Sequence, residues 1–131
     1  MNALNKFEPY ALAALRIVAG YTFLLHGTAK LFGVPHVAMF DGLQVISLMG
    51  LAGILEVAGG LLLILGWFTR PVAFLLSGQM AVAYFMAHAK ENNFLLPLLN
   101  QGEPAVLFCF IFLFLVFAGA GAWSIDNRSA K

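Results

Sequence analysis

The sequence predicts an all-α integral membrane protein, in which a single domain (residues 1–131) forms an antiparallel bundle of four transmembrane helices. Hydrophobic residues make up 62% of the chain and charged residues 10%, against about 25% charged in an ordinary soluble domain. Most hydrophobic residues fall in four stretches, each near the length of about 20 residues that spans a bilayer. The formal net charge of +1 leaves no basic stripe to neutralise phosphates, so we expect no nucleic-acid partner.

Prolines and glycines set the predicted helix boundaries. The first stretch begins at about Pro9 and ends before Gly33, and the second ends at Gly66. Pro71 and Pro104 open the third and fourth helices, because the missing N–H of proline costs nothing at the first helical position. The predicted helices cover about residues 9–32, 44–65, 71–89 and 104–122. Such short loops force consecutive helices to run antiparallel as neighbours.

The basic residues predict the orientation of the bundle. Two of the seven, Lys30 and Lys90, lie on the side of the two long loops. The other five lie on the side of the termini: Lys6, Arg16, Arg70, Arg128 and Lys131. Because cytoplasmic loops carry the excess of Lys and Arg, both termini are predicted to be cytoplasmic.

Five ionisable residues lie inside the apolar stretches. Arg16, His26 and Lys30 belong to the first, Glu56 to the second, and His88 ends the third. An ionisable side chain in the hydrocarbon region costs roughly 2.5–3.5 kcal/mol unless it faces a partner or a cavity. These residues therefore mark the part of the bundle where a functional site is expected.

Glu56 is central to both hypotheses that we derive from these residues. It belongs to a stripe of small residues (Gly50, Gly53 and Gly60) that we expect to be buried against a neighbouring helix. The first hypothesis is a structural ion pair between Glu56 and Arg16, which lies toward the cytoplasmic side on the first helix.

The second hypothesis is a pocket that opens to the outer side and binds a quinone. Quinone binding needs hydrogen-bond donors for two carbonyl oxygens and apolar walls for the ring and tail. The pocket candidates are His26, Lys30, Glu56, Tyr84 and His88. Further polar candidates in the outer loop are Asn100 and Glu103.

Several short motifs resemble the DoxX family along nearly the whole chain. They are Leu15-Arg16, Leu25-His26-Gly27-Thr28-Ala29-Lys30-Leu31-Phe32-Gly33, Leu55-Glu56-Val57-Ala58-Gly59-Gly60, Gly66-Trp67-Phe68-Thr69-Arg70, Ala87-His88, Gly102-Glu103 and Trp123-Ser124-Ile125-Asp126. The resemblance implies a small multi-pass protein of a bacterial or archaeal inner membrane. It also implies a quinone-interacting, accessory subunit of a membrane oxidoreductase system, acting in sulfur-compound oxidation or oxidative-stress defence.

The expected partners follow from this hypothesis. They are the lipid bilayer, a quinone, a soluble redox protein and a second copy of the chain, since the phenylalanines of the fourth helix point in too many directions for one bundle to bury. No tightly bound cofactor and no metal are expected. Cys109 is the one cysteine, so there is no Cys-x-x-Cys pair for disulfide exchange. His26 and His88 differ in predicted depth by roughly 6 Å, which disfavours a bis-histidine haem.

Two alternative functions remain open at the level of the sequence. A transporter or channel for a small solute would use the same polar interior. A membrane anchor or assembly factor without catalytic activity would need the polar residues only for structure.

Overall fold

The computed structural model describes residues 3–90 and 92–129, and within them it contains helices and no strand. The helices are α1 (Glu8–Phe32), α2 (Leu48–Leu65), α3 (Thr69–Ala83), α4 (Pro97–Asn100), α5 (Glu103–Ala118) and α6 (Ile125–Ser129), with 3₁₀ turns at Asn5–Phe7 and Ala38–Phe40. A π-helical turn, Tyr84–His88, continues α3. Among the described residues, three helical segments are long and apolar enough to cross a membrane: Asn5–Phe32, Leu48–Leu65 and Thr69–His88. The apolar α5 is shorter, at 16 residues.

The first two long helices, α1 and α2, run antiparallel and touch through glycine. A Cβ atom built on Gly20 would lie 2.9 Å from the carbonyl oxygen of Gly60, and one on Gly27 would lie 2.8 Å from that of Gly53. Small residues allow this close approach of two backbones within a membrane. The stripe of small residues on α2 is buried, as we expected, and Gly53 and Gly60 pack on α1.

The helices α3 and α5 form a second antiparallel pair. The Ser77 hydroxyl donates to the carbonyl of Cys109 at 2.8 Å, and Arg70 donates to the carbonyl of Val116 at 2.7 Å. The two pairs enclose one apolar core, which is built from Ala19, Phe23, Leu63, Ala73, Leu76, Met80, Phe112 and Leu115.

Two helices are shorter than the sequence predicts. The second starts at Leu48 instead of about residue 44, because Ser47 is in an extended conformation and accepts a hydrogen bond from the N–H of Gly50 at 3.0 Å. The fourth apolar helix, α5, ends at Ala118, because Gly119 has φ +82° and turns the chain away. Glu56 is therefore nearer to the start of its helix than expected.

The C-terminal segment, residues 119–129, folds back across the bundle. Asp126 accepts hydrogen bonds from the N–H groups of Phe68 and Thr69, each at 2.9 Å, and so caps the start of α3. The N–H of Ala122 donates to the carbonyl of Pro9 at 2.9 Å. We call this end of the bundle the termini end, and the opposite end, with residues 33–47, 89–90 and 92–102, the loop end.

The phenylalanines of α5 divide between the core and the surface. Phe112 is buried, whereas Phe110, Phe114 and Phe117 are exposed. One bundle therefore leaves an aromatic surface along this helix.

Candidate functional site

A lateral groove of about 590 Å³ lies between α2 and α3. Its walls are almost entirely apolar, and many of their side chains are exposed on the side of the bundle that would face lipid. The wall residues are Leu48, Met49, Leu51, Ala52, Leu55, Phe74, Leu75, Gly78, Met80, Val82, Ala83, Met86 and Ala87. The groove has the size and character of small-molecule sites, which are mostly apolar with a few placed polar groups.

The floor of the groove carries a compact polar cluster of Lys30, Glu56 and Gln79. The Lys30 Nζ lies 2.7 Å from the Glu56 Oε1, and the Gln79 Nε2 donates to the same oxygen at 3.3 Å. The side chains of Lys30 and Glu56 are 10% and 2% exposed. This salt bridge is thus a buried one, fixed by a third residue from a third helix.

Two acceptor atoms of this cluster lack donors. The Glu56 Oε2 and the Gln79 Oε1 are buried and accept no hydrogen bond from any residue in 3–90 or 92–129. Buried polar groups in native proteins are nearly always hydrogen-bonded, and each exception needs an explanation. A hydrogen-bond donor that reached either atom would satisfy it.

The loop before α2 covers the lysine. The Lys30 Nζ lies 5.5 Å from the centre of the Phe40 ring, within the range of a cation–π interaction. Phe40 ends the 3₁₀ turn of the first long loop. This loop therefore helps to hold the ammonium group over the groove instead of leaving it to extend into water.

The predicted ion pair between Arg16 and Glu56 is wrong, because Arg16 lies at another level of the bundle. The antiparallel register that places Gly20 against Gly60 brings Arg16 to Ile64. Ile64 is eight residues beyond Glu56, or about 12 Å along the helix axis. Glu56 instead pairs with Lys30, near the loop end.

Arg16 is fully buried, and its guanidinium binds backbone carbonyls of the described residues. Its Nη1 donates to the carbonyls of Leu63 and Ile64, at 2.6 and 2.8 Å, near the C-terminus of α2. Its other donors bind the tail: Nε the carbonyl of Ala120 at 2.7 Å, and Nη2 those of Ala122 and Trp123 at 2.9 and 3.0 Å. All five N–H donors of the guanidinium are used, and the cation lies where the α2 dipole favours it.

The structure places His26 outside the groove. The residue is exposed on α1, and its Nδ1 donates to the carbonyl of Thr22 at 2.9 Å. Its ring centre lies 6.2 Å from that of Phe108 on α5. His26 therefore belongs to the α1–α5 side of the bundle and does not line the groove between α2 and α3.

Tyr84, His88 and Asn100 come together in a separate cluster at the loop end. The His88 Nδ1 donates to the Asn100 carbonyl at 3.1 Å, and the Asn100 amide donates to the Tyr84 hydroxyl at 3.0 Å. The Tyr84 hydroxyl in turn donates to the carbonyl of Phe94. These bonds fasten the second long loop to the π-helical turn, and none of the three residues lines the groove. Glu103 is exposed at the start of α5.

Gln79 is the site residue that sequence reasoning missed. It lies off the helix face of Tyr84 and His88, the two pocket candidates that the sequence offers on this helix. A signal for it exists: Glu56 lies 11 residues before Trp67, and Gln79 lies 11 residues after Phe68 (67 − 56 and 79 − 68). Two antiparallel helices joined by a tight turn bring such equidistant positions together.

A second hollow, of about 760 Å³, lies at the termini end. Two of its charged residues already have structural partners: Asp126 caps α3, and Arg70 binds the carbonyls of Val116 and Phe117 at the end of α5. This hollow is larger than the groove, and Thr69 in its lining has a buried hydroxyl oxygen without a partner among the described residues. Its charged residues Asp126 and Arg70, however, are engaged at helix ends, and its lining lacks the apolar walls of the groove. The groove between α2 and α3 is therefore the better candidate site.

The fold and the groove define a small helical membrane protein with a polar cluster on a lateral, apolar surface. The family model DoxX matches residues 11–89, which is more than half of the chain, and the chain belongs to this family. The matched segment includes Lys30, Glu56 and Gln79.

Two relatives match along nearly their whole length. A protein of Haemophilus influenzae described as uncharacterized is 48% identical over 134 residues, covering 100% of this chain and 99% of the relative. The inner membrane protein YphA of Escherichia coli is 28% identical over 146 residues, covering 98% of this chain and 100% of YphA. No solved structure matches the chain.

Proposed function

We propose that the groove between α2 and α3 binds a quinone, and that the protein is the quinone-interacting, accessory subunit of a membrane oxidoreductase system. The observation that carries this proposal is the polar cluster of Lys30, Glu56 and Gln79 on the floor of an otherwise apolar groove. A quinone has an apolar ring and tail with two polar oxygens, so it matches both parts of the groove.

The position of the groove supports a ligand that arrives through the membrane. Phe74, Leu75 and Val82 are exposed wall residues on the lateral surface. A quinone partitions into the hydrocarbon region and would reach the polar floor without crossing water. A polar solute would meet an apolar wall first, so the groove gives no support to a transport function.

Chemistry at this site would be shared with a partner. A quinone would accept two electrons and two protons to become the quinol, and the quinol would give them back. We assign the other half of that exchange to a soluble redox protein, in sulfur-compound oxidation or oxidative-stress defence. The residues of this chain bind and orient the ring: Lys30 donates a hydrogen bond, and Glu56 offers an acceptor for a proton-bearing oxygen. Hydrogen bonds and charges placed next to the ring are how a protein adjusts the electronic properties of such a molecule.

The arrangement in the membrane is also part of the proposal. We propose that α5 is the fourth span, that both termini face the cytoplasm of the bacterial or archaeal cell, and that the protein resides in its inner membrane. The exposed Phe110, Phe114 and Phe117 then form the contact of a symmetric dimer, since isologous pairing buries one patch on both subunits.

The test of quinone binding is to fill the groove without touching the polar cluster. A Cβ atom on Gly78 would meet no atom within 4 Å, so Gly78→Leu extends into the groove and replaces a poor helix former with a good one. We expect native mass spectrometry in detergent to show saturable binding of short-chain benzoquinone or naphthoquinone analogues to the wild-type protein. Gly78→Leu should weaken that binding by at least about tenfold, equal to 1.4 kcal/mol.

The matched control is Ala58→Leu, a similar enlargement at an exposed position of α2 outside the groove. This variant should bind the analogues as the wild-type protein does. Saturable binding that survives unchanged in Gly78→Leu would show that the quinone binds elsewhere. Absence of saturable binding to the wild-type protein would reject the proposed function.

A further inference from the structure

We propose that the groove binds the reduced, dihydroxy form of its ligand, the quinol, in preference to the quinone. This inference rests on the proposed function, because it specifies which redox form the same groove holds. It comes from the hydrogen-bonding capacity that the cluster of Lys30, Glu56 and Gln79 leaves unused.

The unused capacity includes two acceptor atoms, beside the free donors of Lys30. Within the described part of the chain, the Glu56 Oε2 and the Gln79 Oε1 are buried and receive no hydrogen bond. The side chain of Glu56 is 2% exposed, and both residues line the groove. Two such atoms at one site call for a ligand that donates.

The orientation of the Gln79 amide follows from its neighbour. The Glu56 Oε1 is an acceptor, so the amide group must turn its nitrogen toward it, as the distance of 3.3 Å between the Gln79 Nε2 and that oxygen records. The amide oxygen is thereby turned away from Glu56. Rotating the amide by 180° would break this hydrogen bond, because it would place the amide oxygen and the Glu56 Oε1, two acceptors, against each other.

The two redox forms differ in what they offer to these acceptors. A quinone carbonyl only accepts, so it would face the Glu56 Oε2 and the Gln79 Oε1 without bonding either. A quinol hydroxyl donates one hydrogen bond and can accept another. Leaving a buried acceptor unpaired is costly, whereas the new bond is charge-assisted when Glu56 accepts it.

With Lys30 beside Glu56, one hydroxyl of the ligand can form a hydrogen bond to each partner of the salt bridge. An ammonium group has three donors, and one of those on Lys30 binds the Glu56 Oε1 at 2.7 Å. A hydroxyl placed against the cluster would accept from Lys30 and donate to the Glu56 Oε2. The quinone retains the first of these bonds and loses the second, so both forms bind and the quinol binds more tightly.

The test compares three forms of one short-chain benzoquinone: the quinone, the quinol under anaerobic conditions, and the dimethyl ether of the quinol. The protein is held in nanodiscs of phosphatidylcholine, whose headgroup has no hydrogen-bond donor to compete. We expect the quinol to bind about tenfold more tightly than the quinone. The dimethyl ether has a similar shape without donors and should bind no more tightly than the quinone.

Two variants separate hydrogen bonding from general affinity. In Glu56→Gln the amide oxygen faces the donors of Lys30, so an N–H group replaces the unpaired acceptor of Glu56. The preference for the quinol should then fall at least threefold, to the share that the Gln79 Oε1 carries. Gln79→Met removes the other acceptor, keeps the salt bridge, and should reduce the preference at least threefold. Ala58→Leu, outside the groove, should retain the full preference.

The possible outcomes distinguish this inference from the function on which it rests. Equal or tighter binding of the quinone overturns the inference and leaves the proposed quinone site standing. A preference that is unchanged in both Glu56→Gln and Gln79→Met overturns the assignment to these two acceptors. Failure of all three forms to bind saturably rejects the proposed function and the inference together.

Discussion

Replacing Arg16 with methionine should strongly destabilise the protein, because Arg16 is fully buried and every donor of its guanidinium is used. The guanidinium joins the C-terminus of α2 to the tail through five hydrogen bonds to carbonyls. Methionine would fill the space but leave several of these buried carbonyls without donors, at about 1–3 kcal/mol each. We therefore expect the free energy of unfolding, measured by titration with sodium dodecyl sulfate in mild detergent, to fall by at least about 3 kcal/mol.

The control for the loss of charge is Arg128→Met, because Arg128 is an exposed arginine in the same tail. Its free energy of unfolding should change by less than about 0.5 kcal/mol. Arg16→Lys should be nearly as damaging as Arg16→Met, since a lysine offers three donors in place of the five of the guanidinium fork. A free energy of unfolding that is the same in Arg16→Met and in the wild type would refute this account of Arg16.

The second large effect concerns the salt bridge between Lys30 and Glu56. Lys30→Met should lower the free energy of unfolding by about 3–5 kcal/mol, because it leaves a buried carboxylate without its cation. Glu56→Leu should cost less, since the flexible lysine near the loop end can turn its ammonium group toward water. The double variant should recover most of the loss, as buried pairs replaced by apolar residues of similar volume often do.

The same three variants separate stability from binding. The double variant should unfold like the wild-type protein, to within about 1 kcal/mol, and yet fail to bind a quinone analogue in the nanodisc assay. Additive losses in the double variant would show that the two side chains do not stabilise each other. Retained quinone binding in a stable double variant would remove both residues from the proposed site.

The general architecture could be predicted from the sequence because each of its signals is local. Proline and glycine mark helix ends within a residue or two, and hydrophobic length identifies the spans. The burial of Gly53 and Gly60 against a neighbouring helix was likewise predictable, since only close backbone packing explains a stripe of glycine beside a carboxylate. The start of α2 at Leu48 was harder, because Val45 and Ile46 are as apolar as the helix itself and the Ser47 cap is a weaker signal.

The pairing of charges could not be predicted, because it depends on register across helices. A shift in the start of α2 from residue 44 to Leu48 moves Glu56 closer to the loop end, within reach of Lys30. A second helix that begins at residue 44 predicts instead that Arg16 lies close enough to pair with Glu56. Sequence spacing along one helix fixes which residues share a face, but it does not fix the level at which two helices meet.

The histidines show a second limit. His26 and His88 are conspicuous as ionisable residues in apolar helices, yet each binds a backbone carbonyl and lies outside the groove. Gln79 is uncharged and so gives a weaker signal in an apolar helix, although it contacts Glu56 directly. A search for charged residues in apolar helices therefore misses the neutral amide on the floor of this groove.

The central claim is that a quinone binds between α2 and α3, and photoaffinity labelling tests it most directly. A short-chain quinone analogue with a diazirine on its tail would be irradiated with the protein in nanodiscs, and the labelled residues mapped by mass spectrometry. We predict labels on groove residues such as Leu55, Leu75 and Met86 that disappear on addition of excess unlabelled analogue and in Gly78→Leu. Labels that compete in this way but fall around His26 and Phe108, or around His88, would contradict the claim.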